Sequence, residues 1–220
     1  MFSRFIRGIH PYSGSVSMKG EYNTVLSYCI MIITPIVLGV FLFMKTRGLT
    51  MNLHYTKTQT LTISAVCIAL YLVVMLCTQS FAFGQYQIRI ATALYGLSYI
   101  FPFLVVPFGM ANLASNIIMG GLGPVDAVCG LIVGLLTCGT IVLGKRLGFS
   151  CWIVAAAVTL VPGLGVPVWL SYLLDIPYAV LASSLLIGQL ISGIAGMLLV
   201  GALEKADITG LAFRAERNRE

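Results

Sequence analysis

Between residues 58 and 203 the chain carries five charged side chains, Arg89, Asp126, Lys145, Arg146 and Asp175, in an otherwise apolar stretch. A water-soluble domain keeps roughly a quarter of its residues charged, whereas 9% of this chain is charged and 59% is hydrophobic. Hydrocarbon is the solvent that suits such a chain. In a bilayer every backbone N–H and C=O must be paired within the protein, which leaves helices or closed barrels. The apolar runs here have helical length and lack the short alternating pattern of barrel strands. The expected fold class is therefore all-α, a polytopic membrane protein.

Glycine, proline and charge divide the stretch into six helices. The first is expected over about 58–80, the second over 90–101 up to Pro102, and the third over 106–119. The run GGLGP at 120–124 breaks the chain before a fourth helix over 125–144, which closes on Lys145 and Arg146. A fifth, over 151–174, is expected to be interrupted by Pro162, Gly163, Gly165 and Pro167, and a sixth follows Pro177 and ends near Glu204. The second and third are short for a hydrocarbon layer of about 30 Å, which takes around 20 helical residues.

Residues 51–205 thus read as a six-helix membrane domain, 206–220 as a charged tail and 1–50 as an N-terminal extension. The apolar run 24–44, with Pro35 inside it, is long enough to cross the membrane, so one extra span is expected there. The alternative is a misassigned start, because MNLHYTKTQT from Met51 also looks like a natural beginning for six helices. With both ends of the six-helix unit in the cytoplasm, Lys45, Arg47, Lys57, Lys145, Arg146, Lys205, Arg214, Arg217 and Arg219 all fall inside. The positive-inside rule is then satisfied, although a further span puts Arg4, Arg7 and Lys19 outside. The net charge of +6 sits at span ends and in the tail, so it marks topology in a lipid-surrounded cell-membrane protein and not a nucleic-acid partner.

Polar side chains concentrate between Gln85 and Gly130, where Arg89, Asn112, Asn116 and Asp126 lie in apolar surroundings. A central Arg or Asp costs roughly 2.5–3.5 kcal/mol on insertion scales, so a chain that keeps them is using them. Gln85, Gln87 and Arg89 alternate and would point the same way from an extended segment. Asn112 and Asn116 are four apart and share one helix face, and Asp126 opens the fourth helix. On the expected topology all of them gather in the outer half of the membrane. Two readings stand. One is an Arg89–Asp126 ion pair with the asparagines satisfying broken backbone. The other is a binding site for a flat polar heterocycle, whose edges match the donor and acceptor groups of amides and a carboxylate.

Catalysis finds little to stand on: there is no Ser/His/Asp set, HExxH, paired acidic motif or Walker motif, so no enzyme is expected. The six cysteines form no CxxC pair, and His10 and His54 lie outside the apolar spans, so neither a metal nor a cofactor is expected. Small residues recur at four-residue spacing as Ala65–Ala69, Gly130–Gly134 and Gly188–Ser192–Gly196. Such stripes let helix backbones approach closely. In the fourth and sixth helices they read as internal packing, while Ala65 and Ala69 leave a partner interface open.

Taken together, six spans, an AxxxA pair in the first helix and no ATPase motif resemble the substrate-binding S-component of an energy-coupling factor (ECF) transporter. More narrowly, FGQYQIRIATALYGLSYIFP followed by FGMANLASNIIMGGLGPVDAVCGLIVGLL resembles the queuosine-precursor transporter family, QueT type. That family has a Q-F-R-I-S-E-A-L stretch after its first helix, then A-N-L and G-L-x-D-x-x-x-G segments. Here they correspond to residues 87–94, 111–113 and 123–130, with Asp126 as the acid. The resemblance covers about 51–205.

The resemblance implies a six-helix bundle in which Gln87, Arg89, Thr92, Asn112, Asn116 and Asp126 line the substrate pocket. It implies that Ala65 and Ala69 face a transmembrane coupling subunit bearing two cytoplasmic ATPases, whose ATP hydrolysis topples the subunit and releases its ligand inside. One position departs: Thr92 stands where the family has Glu. That loss removes an acceptor for an aminomethyl deazaguanine and favours a neutral nitrile analogue, the free base or another small heterocycle. A stand-alone secondary transporter using Asp126 for proton coupling, and a membrane scaffold without a ligand, are the alternatives.

Overall fold

The first helix, α1 (Lys57–Cys77), begins where the sequence supplies both halves of a capping box. Gln59 N–H donates to Thr56 Oγ1 at 3.3 Å, and Thr56 N–H donates to Gln59 Oε1 at 3.0 Å. Two amides that a helix start leaves without intrahelical partners are thereby paired. The computed structural model describes residues 56–79, 88–120 and 122–217. Gln85, Gln87 and all of 1–50, with the expected span at 24–44, lie outside them.

Beyond Arg89 the chain winds as a 3₁₀ helix over Ile90–Gly96 and then makes one α-turn, α2 (Leu97–Ile100). A 3₁₀ helix rises about 2.0 Å per residue against 1.5 Å for an α-helix. The stretch Ile90–Ile100 therefore reaches further than an α-helix of its length, yet remains too short to cross a bilayer on its own. Ala91 to Gly96 are all buried, and the segment packs on α1 and on the last helix. Irregular backbone at membrane depth is tolerated in that situation, because protein and not lipid surrounds it.

A 3₁₀ turn at Pro102–Leu104, α3 (Val105–Ser115) and a π-helical turn at Asn116–Gly120 continue one another. Pro102–Met119 is long enough to span, so of the two helices expected to be short only the one before Pro102 is. Gly123, at φ 94°, occupies a left-handed conformation that suits a residue without Cβ. Pro124 then takes the first turn of α4 (Pro124–Arg146), where its missing N–H costs nothing. Lys145 and Arg146 sit in the last turn, facing the negative end of the helix dipole.

Two expected boundaries move. Helix α5 (Trp152–Leu174) runs unbroken through Pro162 and Pro167. Each proline removes one backbone donor, and the surrounding helices, with no water to compete, hold the rest of the ladder. Helix α6 (Tyr178–Arg217) continues well past Glu204, through the segment expected as a tail. No proline interrupts it, and Gly210 costs a helix interior only about 1 kcal/mol.

Five helices are long and apolar enough to cross a membrane, and no strand occurs among the described residues. The molecule is an all-α, multi-pass membrane protein whose described residues fall in one unit, Met44–Glu220. Its polarity is inverted relative to a soluble domain. Leu61, Val106, Ile117, Leu136, Leu160 and Leu198 point outward, while Arg89, Asn112, Asn116, Asp126 and Gln189 are buried. Trp152 is 69% exposed at the start of α5, and Tyr172 is 83% exposed near its end, where membrane-interface aromatics belong. Connectivity places the start of α4, the end of α5 and the start of α6 at one end of the bundle, with Lys145 and Arg146 at the other.

Candidate functional site

Arg89 precedes the 3₁₀ helix, and its backbone is pinned before its side chain is considered. Its carbonyl oxygen accepts from Thr92 N–H at 2.9 Å, Thr92 Oγ1 at 2.7 Å and Ser192 Oγ at 3.0 Å. The guanidinium then reaches α3, where Nη1 donates to Asn112 Oδ1 at 3.3 Å and Asn116 Oδ1 at 3.2 Å. The four-residue spacing presents both asparagines to one cation, as their shared helix face requires.

Each asparagine passes the connection on to α4. Asn112 Nδ2 donates to the Gly130 carbonyl at 2.7 Å, and Asn116 Nδ2 donates to the Asp126 carbonyl at 3.3 Å. Glycine at 130 is what admits this bridge, because a Cβ there would run into the Asn116 amide nitrogen. Below lies an aromatic floor. The rings of Tyr71 and Tyr95 stack with centroids 5.7 Å apart, Phe108 tilts against both, and the two hydroxyls are 3.2 Å apart.

Asp126 completes the site, 2% exposed in the first turn of α4. Trp169 of α5 donates its indole N–H to Oδ1 at 3.0 Å. The other oxygen, Oδ2, is buried and has no hydrogen-bond partner. No ion pair joins Arg89 to Asp126 among the described residues, so the ion-pair reading is not what the geometry presents. Across the cleft, Thr92 Oγ1 also lies 3.0 Å from Gln189 Oε1 of α6. The cleft is lined by Arg89, Thr92, Asp126, Trp169 and Gln189, with Val133, Val166 and Pro162 as apolar wall. The space between these side chains takes little more than a water-sized occupant, so a ring-sized ligand enters only if the lining moves.

Of the residues expected from the sequence, Arg89, Thr92, Asn112, Asn116 and Asp126 come together around this cleft; Gln87 lies outside the described residues. Ala65 and Ala69 are on the exposed face of α1, away from the cleft. Packing accounts for much of the glycine and serine stripes, since a Cβ on Gly134 would meet Gly109 Cα at 3.2 Å and one on Gly196 would meet Ala93 O at 2.7 Å. Gly130 and Ser192 do more, because both touch the polar cluster. Trp169 and Gln189 escaped the sequence reading. The signal available for Gln189 was an amide alone in an apolar helix, and for Trp169 it was one of two tryptophans in the chain.

A family model described as QueT transporter matches residues 61–205. No curated protein and no solved structure matches the chain.

Proposed function

The chain belongs to the QueT transporter family, and from that premise we propose that the cleft is the substrate site of an ECF-type binding subunit for a deazaguanine-like queuosine or archaeosine precursor. The observation that carries this reading is Asp126 Oδ2. A buried acceptor without a partner costs about 1–3 kcal/mol, and more when it is charged, so a ligand N–H that reaches it recovers a large interaction. Trp169 fixes which carboxylate oxygen stays available by holding the other. The Arg89 guanidinium, tied to Asn112 and Asn116, supplies the positive charge that makes a buried carboxylate tolerable in hydrocarbon. Val133, Val166 and Pro162 offer the apolar surface that a flat ring needs.

Energy comes from partners on this reading, since the chain has no nucleotide-binding motif. The exposure of Ala65 and Ala69 beside Leu61 on α1 supports a close helix–helix contact with a transmembrane coupling subunit, itself bearing two cytoplasmic ATPases. The pocket end faces outward and the C-terminus lies in the cytoplasm, in keeping with Lys145 and Arg146 at the opposite end.

Calorimetric titration of the purified protein with deazaguanine bases tests the ligand assignment. Binding by the parent and a loss of roughly 10- to 100-fold in Asp126→Asn is the expected result. No binding by any base, or an unaffected Asp126→Asn, defeats it. Replacing Ala65 and Ala69 together by Leu is expected to abolish co-purification with the coupling subunit and leave ligand binding intact. Uptake driven by a proton gradient without ATPases would favour a secondary transporter using Asp126 instead.

A further inference from the structure

A ring-sized ligand needs part of the cleft lining to move, and burial singles out which part can. Apart from Trp169, every described residue along the cleft is buried. Arg89, Asn112, Asn116 and Thr92 are further tied to one another or to backbone by hydrogen bonds. Trp169 is the exception. It is partly buried and packs against the cluster of Val133, Val166, Leu170, Leu181 and Leu185. Its single polar group, the indole N–H, is held by Asp126 Oδ1 at 3.0 Å. Rotation of the side chain breaks that contact and carries the indole toward the end of α5, where Tyr172 is 83% exposed. An aromatic ring with one polar edge is at home at such a membrane boundary.

What the indole occupies matches what would replace it. It is a flat fused ring of five and six members, and its N–H already lies on the carboxylate that a ligand must reach. Its departure adds a slot of fused-ring size to a space that takes little more than a water. It also uncovers Oδ1 beside Oδ2, which has no hydrogen-bond partner to begin with. A buried carboxylate with neither oxygen paired is costly. The incoming edge therefore has to carry two N–H groups side by side, the arrangement in which a planar fork meets a carboxylate.

We infer that Trp169 is the residue the substrate displaces: its indole holds the ligand's place on Asp126, and a fused ring with two adjacent N–H donors enters by exchanging with it. The inference rests on the cleft being the substrate site. It adds the residue that gates the site and the ligand edge that opens it.

The test uses the full chain in detergent and a deazaguanine base, whose amino group adjoins a ring N–H. Trp152, 69% exposed at the start of α5, is replaced by Phe so that Trp169 is the single tryptophan. Saturation with the base should shift Trp169 emission to the red and increase its quenching by aqueous acrylamide. Separately, Trp169→Phe keeps an aromatic ring but has no N–H to compete for Asp126. It should bind the base about tenfold more tightly, because the closed form that excludes the ligand is weakened. An analogue without the amino group offers one N–H and should bind the parent about tenfold more weakly.

Quencher access that stays the same or falls at saturation would overturn the inference while leaving the substrate site in place. So would equal or weaker binding by Trp169→Phe, the behaviour of a fixed wall residue that orients Asp126, or an analogue that binds like the base. If Trp169→Phe yields no folded protein, the quenching measurement decides, since it keeps Trp169. A parent that binds no base removes both the site assignment and the inference.

Discussion

The two ends of the short central segment Ile90–Ile100 are built on opposite principles. At its start, Arg89 and Thr92 are held by hydrogen bonds from α3 and α6, and geometry is set by polar atoms at 2.7–3.3 Å. At its far end, Gly96 lies against Val154 and Val200, with Gly196 of α6 bringing backbone close to backbone. One end is fixed by hydrogen bonds between side chains and backbone, and the other leaves no room for a methyl. On the proposed function, the difference separates binding from stability within a single segment. Changes at the packed end should act on folding, and changes at the polar end should act on the ligand.

The largest effect is expected from Gly196→Leu. A Cβ at 196 would meet the Ala93 carbonyl oxygen at 2.7 Å, and backbone cannot swing away as a flexible side chain can. Overpacking of this kind costs about 3 kcal/mol, to be read as a fall in detergent melting temperature. A Gly196→Leu variant as stable as the parent would show that the segment and α6 are not in fixed contact.

Next comes Gly130→Ala, which strikes the polar end. The new methyl displaces the Asn116 amide that bridges Arg89 to the Asp126 carbonyl. Alanine also raises helix propensity by about 1 kcal/mol, which offsets the local strain. The expected outcome is a melting temperature close to the parent's with ligand affinity lower by about 30-fold, equivalent to about 2 kcal/mol. A large loss of stability with unchanged binding would erase the contrast between the ends.

How much of this was legible in the sequence follows from which physical signals are compositional. Arg89, Asn112, Asn116 and Asp126 stood out because hydrocarbon penalises them wherever the helices happen to lie. The six segments stood out because Pro102, the run at 120–124 and Pro177 are strong punctuation. The 3₁₀ winding of Ile90–Gly96 and the π-turn at Asn116–Gly120 have no such signature, since a shift of hydrogen-bond register changes geometry without changing residue type. Trp169 and Gln189 were hidden for a different reason. A lone aromatic or amide in an apolar helix matters only once the fold brings another helix beside it, and here those partners are Asp126 and Thr92, more than 40 residues and more than 90 residues away respectively.

The smallest effect is expected at Lys145, which joins α4 to the far end of the same segment. Its Nζ donates to the Tyr99 carbonyl at 2.7 Å and sits 4.6 Å from the centre of the Tyr99 ring. The Tyr99 hydroxyl in turn donates to the Phe149 carbonyl at 3.1 Å, in the turn leading to α5. This linkage ties α4, the central segment and the turn before α5 together at the end of α4 away from Asp126, and the long lysine stem lets the charge reach a polar boundary. Lys145→Met preserves the stem and removes the donor, so the cost should be about 1 kcal/mol of stability. Ligand affinity should not change, because the pocket lies at the other end of the segment. A several-fold loss of binding in Lys145→Met, with melting unaffected, would mean that the two ends communicate through the 3₁₀ helix. The division of labour between them would then have to be replaced by one coupled element.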